Sequence, residues 1–312
     1  MQVIHGDELQ AKRIPRTPCV IEGVLPVGYT VLSAPRKIGK SWIALQMCLA
    51  VASGGEFLGR KALKGQALYI ALEDNEGSSS ARMADQIGDE PCPHDMMYCF
   101  GCKGIEDGFI EELDGLISSE GLTELKIVAI DVLALIDGTI RRGEDVYHKD
   151  YRVGSTLKKW AEAHGVAVVA VTHVSKRKSD DLFDDTMGTG GVTGSADNLI
   201  AIRKSGKHRA VMSVIGRYLP EIDIDMVFRD CKWHEDRQGF EVDPIYAAVE
   251  KAAGTDEKWT ASRLKTEYGL KADVREIGEY LTGNKDLLFD KGYEVKAVSN
   301  GTGAKYYKIR RV

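Results

Sequence analysis

Ala34-Pro35-Arg36-Lys37-Ile38-Gly39-Lys40-Ser41 lies between an apolar run that reads as a strand, Tyr29-Thr30-Val31-Leu32-Ser33, and a second apolar run, residues 42–52, that reads as a helix. A turn ending in Gly-Lys-Ser that leads from strand to helix is a phosphate cradle. Backbone N–H groups and the helix N-terminus surround the β- and γ-phosphates, the lysine neutralises them, and the hydroxyl ligates Mg²⁺. On this reading Lys40 is the lysine and Ser41 the Mg²⁺ ligand, and Pro35, Arg36, Lys37, Ile38 and Gly39 wrap the phosphates together with Trp42. The usual pattern opens on glycine, and Ala34 stands there instead; Gly39, where backbone approaches phosphate, is kept. A string this relaxed arises by chance in about one to three of a hundred unrelated chains of this length. The flanking strand and helix reduce that further, and ATP is the expected ligand.

The 312 residues, 43% hydrophobic and 29% charged, suffice for one large α/β domain and a small one. The start has no basic stretch followed by an apolar one, and the most apolar segment, residues 42–52, is too short to cross a bilayer. A cytoplasmic enzyme with no membrane partner is expected. The net charge of −5 conceals an asymmetry, because residues 254–312 hold twelve Lys and Arg against nine Asp and Glu. Six cysteines include Cys92, Cys99 and Cys102, which with His94 offer a conceivable zinc set. Met96-Met97-Tyr98-Cys99-Phe100 also reads as a buried strand that would turn Cys99 into the core.

Continuous apolar runs recur at residues 66–72, 126–131 and 166–172, with helical stretches at 108–119 and 150–164 between them. Strands buried on both faces look like this, and mostly parallel sheets are built from them. Later runs at 198–202, 209–215 and 224–228 alternate more and are expected to extend the sheet antiparallel. Ligands over such a sheet meet the carboxyl ends of its strands. Asp131 ends one, in the position of a carboxylate that holds Mg²⁺ through water. Glu73 and Asp74 end another, where a carboxylate can accept a proton from an attacking water, and Thr172 and His173 end a third. Each has a structural explanation alone, as cap or core residue. Together they form a constellation that a purely structural sheet does not require.

These residues, with Val171-Thr172-His173 and the stretch Gly188-Thr189-Gly190-Gly191-Val192-Thr193-Gly194-Ser195-Ala196-Asp197, resemble the RepA-type hexameric replicative helicases of plasmids and phages, relatives of DnaB and RecA. The similarity spans about residues 20–230. It implies a RecA-like P-loop ATPase core, Glu73 as catalytic base, His173 as sensor of the γ-phosphate, and a late arginine that reaches a neighbouring subunit's nucleotide. Arg217, in Gly216-Arg217-Tyr218, best matches that arginine, and Arg203 is a second candidate. Arg82 matches an arginine on the helix that follows the Glu73 motif. The resemblance also implies that the stretch between His173 and Ser195 faces a central pore. There Lys176, Arg177 and Lys178 with Gly190 and Gly191 would track single-stranded DNA, although its interleaved aspartates also fit a solvated charge run.

Residues 1–240 are thus expected to form the ATPase domain and 241–312 a small α+β domain resembling a winged helix, after a connector near 254–258. Helices are expected at 244–253, 260–268 and 272–289, broken at Thr282-Gly283-Asn284, before a hairpin turned at Asn300-Gly301. Residues 272–281 would be the recognition helix, with Lys285, Lys291, Lys296, Lys305 and Lys308 available to duplex DNA; a replication protein is the other partner such a domain could take. The expected activity is that of an ATP- and Mg²⁺-dependent homo-hexameric DNA helicase. A filament-forming recombinase and an ATP-switched DNA-binding or helicase-loading regulator are the other readings the motifs admit.

Overall fold

The computed structural model describes residues 3–12, 17–173, 190–236, 244–255, 258–299 and 305–312. Its main body is a nine-stranded sheet built on β1 (Gly28–Ala34), β2 (Gln66–Ala71), β3 (Met96–Cys99), β4 (Leu125–Asp131), β5 (Ala167–His173), β6 (Asn198–Gly206), β7 (Arg209–Gly216), β8 (Ile222–Arg229) and β9 (Lys232–Glu235). The order across the sheet is β9-β8-β7-β6-β1-β5-β4-β2-β3. All pairs from β6 to β3 are parallel, with Ala34 opposite His173 and Ala71 opposite Asp131. A two-residue turn, Lys207-His208, joins the neighbours β6 and β7, and so short a link can connect only antiparallel strands.

Seven consecutive residues of β1 are buried, as a central parallel strand covered on both faces demands. Helices α1 (Lys40–Ser53), α2 (Glu76–Ile87), α3 (Phe109–Ser119) and α4 (Val146–His164) supply the cover. α1 is apolar nearly all round, with Ile43, Leu45, Met47, Cys48 and Val51 all buried, and it stops at Gly54 in the left-handed region. α4 begins four residues earlier than its apolar spacing predicts. The Asp145 side chain accepts the His148 N–H (2.8 Å) and caps the exposed first turn, which carries no core residue to mark it. The expected buried strand around Cys99 is instead the last strand of the sheet. Met96 alone is buried there, and Phe100 lies beyond it, exposed, because an edge strand has a neighbour on one side only.

The chain divides into two compact units, but not by one cut near residue 240. The first contains 1–202, 213–223 and 230–233; the second contains 203–212, 224–229 and 234–312. Within the second, α6 (Pro244–Ala252), α7 (Ala261–Tyr268), α8 (Val274–Gly283) and α9 (Lys285–Asp290) accompany an antiparallel sheet of β10 (Lys258–Trp259), β11 (Tyr293–Ser299) and β12 (Lys305–Arg311), ordered β10-β12-β11. A short helix of the first unit, α5 (Gly190–Gly194), precedes β6. The break expected near residue 283 separates α8 from α9. Trp259, fully buried, makes the end of the expected connector a strand of the core, beside Leu264, Ile277, Leu281, Val295 and Ile309.

β1 is fixed at its amino end by Asp197. Its carboxylate accepts the Tyr29 N–H (3.2 Å) and pairs with Lys158, while its own N–H donates to Tyr29 O (2.9 Å). Gly28, at φ +120°, leaves the room this requires, since a Cβ there would sit 2.7 Å from Asp197 Oδ2. Asp197→Ala leaves the Tyr29 N–H without its acceptor and leaves Lys158 only its longer pair with Glu162 (3.6 Å). Such a loss costs about 3 kcal/mol, to be read as a lowered urea midpoint with an unchanged slope.

Candidate nucleotide site

The turn after β1 is shaped by backbone conformations that suit anions. Lys37 (φ +64°) and Gly39 (φ +95°) both lie at positive φ, and Gly39 caps α1 with no side-chain acceptor for the helix's first N–H groups. Those groups are left for a ligand, at the positive end of the helix dipole. Lys40 is 6% exposed, and its ammonium donates to the carbonyls of Ala34 (2.9 Å) and Pro35 (3.1 Å). Burial lowers its pKa, as does Arg36, against the opposing pull of Asp131 and Glu73. Pro35, Arg36 and Lys37 are exposed, whereas Ile38, Ser41 and Trp42 are half-buried around the turn.

Asp131, 3% exposed, accepts a hydrogen bond from the Tyr69 hydroxyl (2.5 Å). Burial and the Asp131 carboxylate hold the Tyr69 pKa well above the usual phenol range, so the phenol remains a donor. Glu73, half-exposed just past β2, has Oε1 3.7 Å from Nε2 of His173, the last residue of β5. Asp74 is engaged elsewhere: it pairs with Arg82, whose guanidinium lies 5.7 Å above the Trp42 ring, while Gln86 donates to Trp42 O (2.8 Å). Of the two carboxylates the sequence offers, Glu73 is therefore the one turned toward His173.

The remaining expected site residues are dispersed. Arg217 is exposed at the amino-terminal edge of the parallel strands, its N–H donating to Asp197 O (2.9 Å). That edge is separated from the P-loop by the length of β1, about 20 Å at the usual rise per residue. Arg203 is half-buried two residues beyond the Ala201–Ser33 pair. Gly191 is buried, and a Cβ on it would lie 2.2 Å from Tyr147 O, so packing against α4 accounts for this glycine. Lys176, Arg177 and Lys178 lie outside the described residues. The four-residue zinc set does not assemble: Cys92 Sγ faces Met83 Sδ (3.2 Å), and Cys99 Sγ donates to Gly101 O (3.1 Å). Burial pushes the Cys102 thiol up to about 11, away from the thiolate a metal needs. Among the described residues, no group of three or more His, Cys, Asp and Glu is placed to hold a metal ion.

Comparison with known protein families matches residues 3–179 to the AAA domain, more than half of the chain. The chain belongs to the AAA-domain family. It is a P-loop ATPase with an α/β fold on a mostly parallel sheet. No curated protein sequence matches it. Among its described residues, no helix is long and apolar enough to cross a membrane.

In this AAA-domain ATPase, Ser41 and the buried Asp131 suit Mg²⁺, which takes one or two protein oxygens and keeps several waters, so no larger acidic cluster is needed. Three contributors to the site carry no motif. Tyr69 holds Asp131. Gln46 fixes β9 to α1 by donating to Trp233 O (2.7 Å) and accepting the Trp233 N–H (3.0 Å). The Trp233 indole thereby rests against Gly39, where an added Cβ would meet Nε1 at 3.2 Å. On the opposite face of the sheet, Thr172 and His173 also border a cavity of about 290 Å³ with Val132, Leu133, Lys149 and Asp150.

Because burial disfavours the Lys40 charge, Lys40→Ala leaves the nucleotide-free protein as stable as wild type or more so. It also abolishes the stabilisation by Mg²⁺–ATP, which for wild type reaches about 2.7 kcal/mol at a hundred times Kd; thermal melts with and without nucleotide separate the two effects. Tyr69→Phe leaves Asp131 buried without its donor. It is expected to cost about 1–3 kcal/mol and to raise the Mg²⁺ concentration for half-maximal ATP turnover, read from a Mg²⁺ titration.

Proposed function

We propose that this ATPase is an ATP- and Mg²⁺-dependent DNA motor, a homo-hexameric helicase of plasmid or phage replication. The observation that carries this reading is the Glu73–His173 approach at 3.7 Å beside the P-loop. Glu73, free of the ion pair that engages Asp74, is the base that takes a proton from the attacking water. His173 senses the terminal phosphate. It also precedes by three to five residues the basic triplet Lys176-Arg177-Lys178, the sequence expected to follow a DNA backbone. A change in the Glu73–His173 pairing is thereby linked, along the chain itself, to groups suited to grip a strand.

Mg²⁺ would be held by Ser41 and, through water, by Asp131, and would supply charge neutralisation between the phosphates. Stacked Tyr147 and Tyr151, with ring centroids 6.4 Å apart and both exposed on α4, offer bases a stacking surface near α5. Arg217 supports assembly: anchored at the edge away from its own P-loop, it can serve as a finger only for another copy. We read the second unit, from its helices and β10-β12-β11 sheet, as a winged-helix-like element that also binds DNA.

An arginine finger typically contributes 10³–10⁵ in turnover, about 4–7 kcal/mol of barrier, with little effect on nucleotide binding. Arg217→Ala is therefore expected to bind ATP normally and barely hydrolyse it. Mixed with Lys40→Ala subunits before assembly, it recovers activity at interfaces that join an intact P-loop to an intact finger. Wild-type turnover by Arg217→Ala with single-stranded DNA present moves the finger to Arg203. Full activity of both arginine variants, in a protein that stays monomeric with ATP, rejects the ring-helicase reading.

A further inference from the structure

Three lysines stand side by side across the small sheet of the second unit. Lys258 of β10 lies opposite Lys308 of β12, and Lys308 lies opposite Lys296 of β11. The neighbouring positions Trp259, Tyr307, Ile309 and Val295 are buried in the core, so alternation turns the lysines to the other face. Lys258 and Lys296 are exposed and Lys308 is half-buried. Arg310, two residues along β12, shares this face opposite Glu294, and Glu294 pairs with Lys296 (2.6 Å). Lys258 and Lys308 have no acidic partner among the described residues.

Like charges set directly opposite each other on neighbouring strands destabilise a sheet. Three in a row therefore form a surface that an anion stabilises. At about 4.8 Å between strands the row spans about 10 Å, the axial length of three phosphate-to-phosphate steps on one nucleic-acid strand at about 3.4 Å each. Compact, strongly hydrated ammonium groups at regular spacing suit backbone phosphates better than the centre of a protein interface, where aromatic and apolar anchors dominate. Helix α8, which the sequence suggests as a recognition helix, presents the opposite sign. Its Arg275 is bound to Glu279 (3.0 Å), and Glu276 faces Lys207 (3.6 Å).

We infer that the second unit binds the phosphate backbone of a nucleic acid on the Lys258–Lys308–Lys296 row of its sheet, and not through α8. The choice of DNA as the natural polyanion rests on the proposed motor function, but the surface requires no nucleotide. The test is anisotropy of a short labelled DNA duplex with the full-length protein, without ATP, over a salt series.

The triple variant Lys258→Gln/Lys296→Gln/Lys308→Gln is expected to flatten the slope of log K against log salt by about two to three, at about 0.9 for each phosphate that is no longer neutralised. The same positions changed to Arg keep the slope, as does Arg275→Gln on α8. An unchanged slope in the triple Gln variant, or an equal loss in Arg275→Gln, overturns the assignment. Competition by polyglutamate as strong, charge for charge, as by unlabelled DNA overturns the nucleic-acid partner. Wild-type protein that hydrolyses ATP but does not bind the duplex without nucleotide refutes this inference alone and leaves the motor reading intact. Normal duplex binding with no ATP turnover does the reverse.

Discussion

Burying the Lys40 ammonium with two backbone carbonyls as partners is unfavourable on its own, and the surrounding fold is arranged around that cost. Asp131 and Glu73 lie near enough to favour the charge, yet burial still prevails. A phosphate changes the balance, since it meets the ammonium and the uncapped N–H groups of α1 together. That explains why Gly39 stands where a Ser or Asp cap would ordinarily go: a side-chain cap would satisfy the donors that the ligand needs. It also explains the apolar girth of α1. A helix whose N-terminus must hold a fixed position is best gripped on every side, here by the sheet and, through Gln46, by β9.

The first unit has two edges of different character. At the amino ends of its parallel strands, interactions are buried and reciprocal: Asp197 with Tyr29 and Lys158, and Asn198 with Val24 O (3.0 Å). At the carboxyl ends, the polar groups are half-exposed and loosely paired, as the 3.7 Å between Glu73 and His173 illustrates. Rigidity at one edge lets the other hold groups that are free to change partners. Lys40 and Asp131 are exceptions, both buried at the carboxyl edge, and Tyr69 supplies the donor that makes the Asp131 carboxylate tolerable there.

How legible the molecule is in its sequence follows from the range of each interaction. The P-loop, the three central strands and Glu73, Asp131 and His173 at their ends can be read because motif and apolar run are local signals. Tyr69 cannot, because within Ala67-Leu68-Tyr69-Ile70 it reads as one more core residue, and its hydroxyl's partner is 62 positions away. Trp233 reaches Gln46 across 187 positions and carries no motif. The start of α4 escapes the apolar pattern because its first turn is exposed and rests on a cap. The acidic character of α8 is plain in its residues but hidden by the element order, which draws attention to a recognition helix. The lysine row depends on strand register, which hairpin signals alone do not set.

The position of Arg217 carries the last step. A side chain whose backbone is hydrogen-bonded at the amino edge lies the length of β1, about 20 Å, from the P-loop of its own chain. Yet it is exposed, held in place by Asp197, and next to Tyr218, an exposed aromatic side chain. An anchored, solvent-facing arginine beside an exposed aromatic resembles the centre of an interface more than a random surface. In a head-to-tail assembly, the amino edge of one subunit can face the carboxyl edge of the next, and that heterologous pairing closes into a ring or continues as a filament according to its rotation. Under the proposed assembly, Arg217 would take up the role of finger, and the half-open carboxyl edge with its loosely paired Glu73 and His173 would receive a cation from its neighbour.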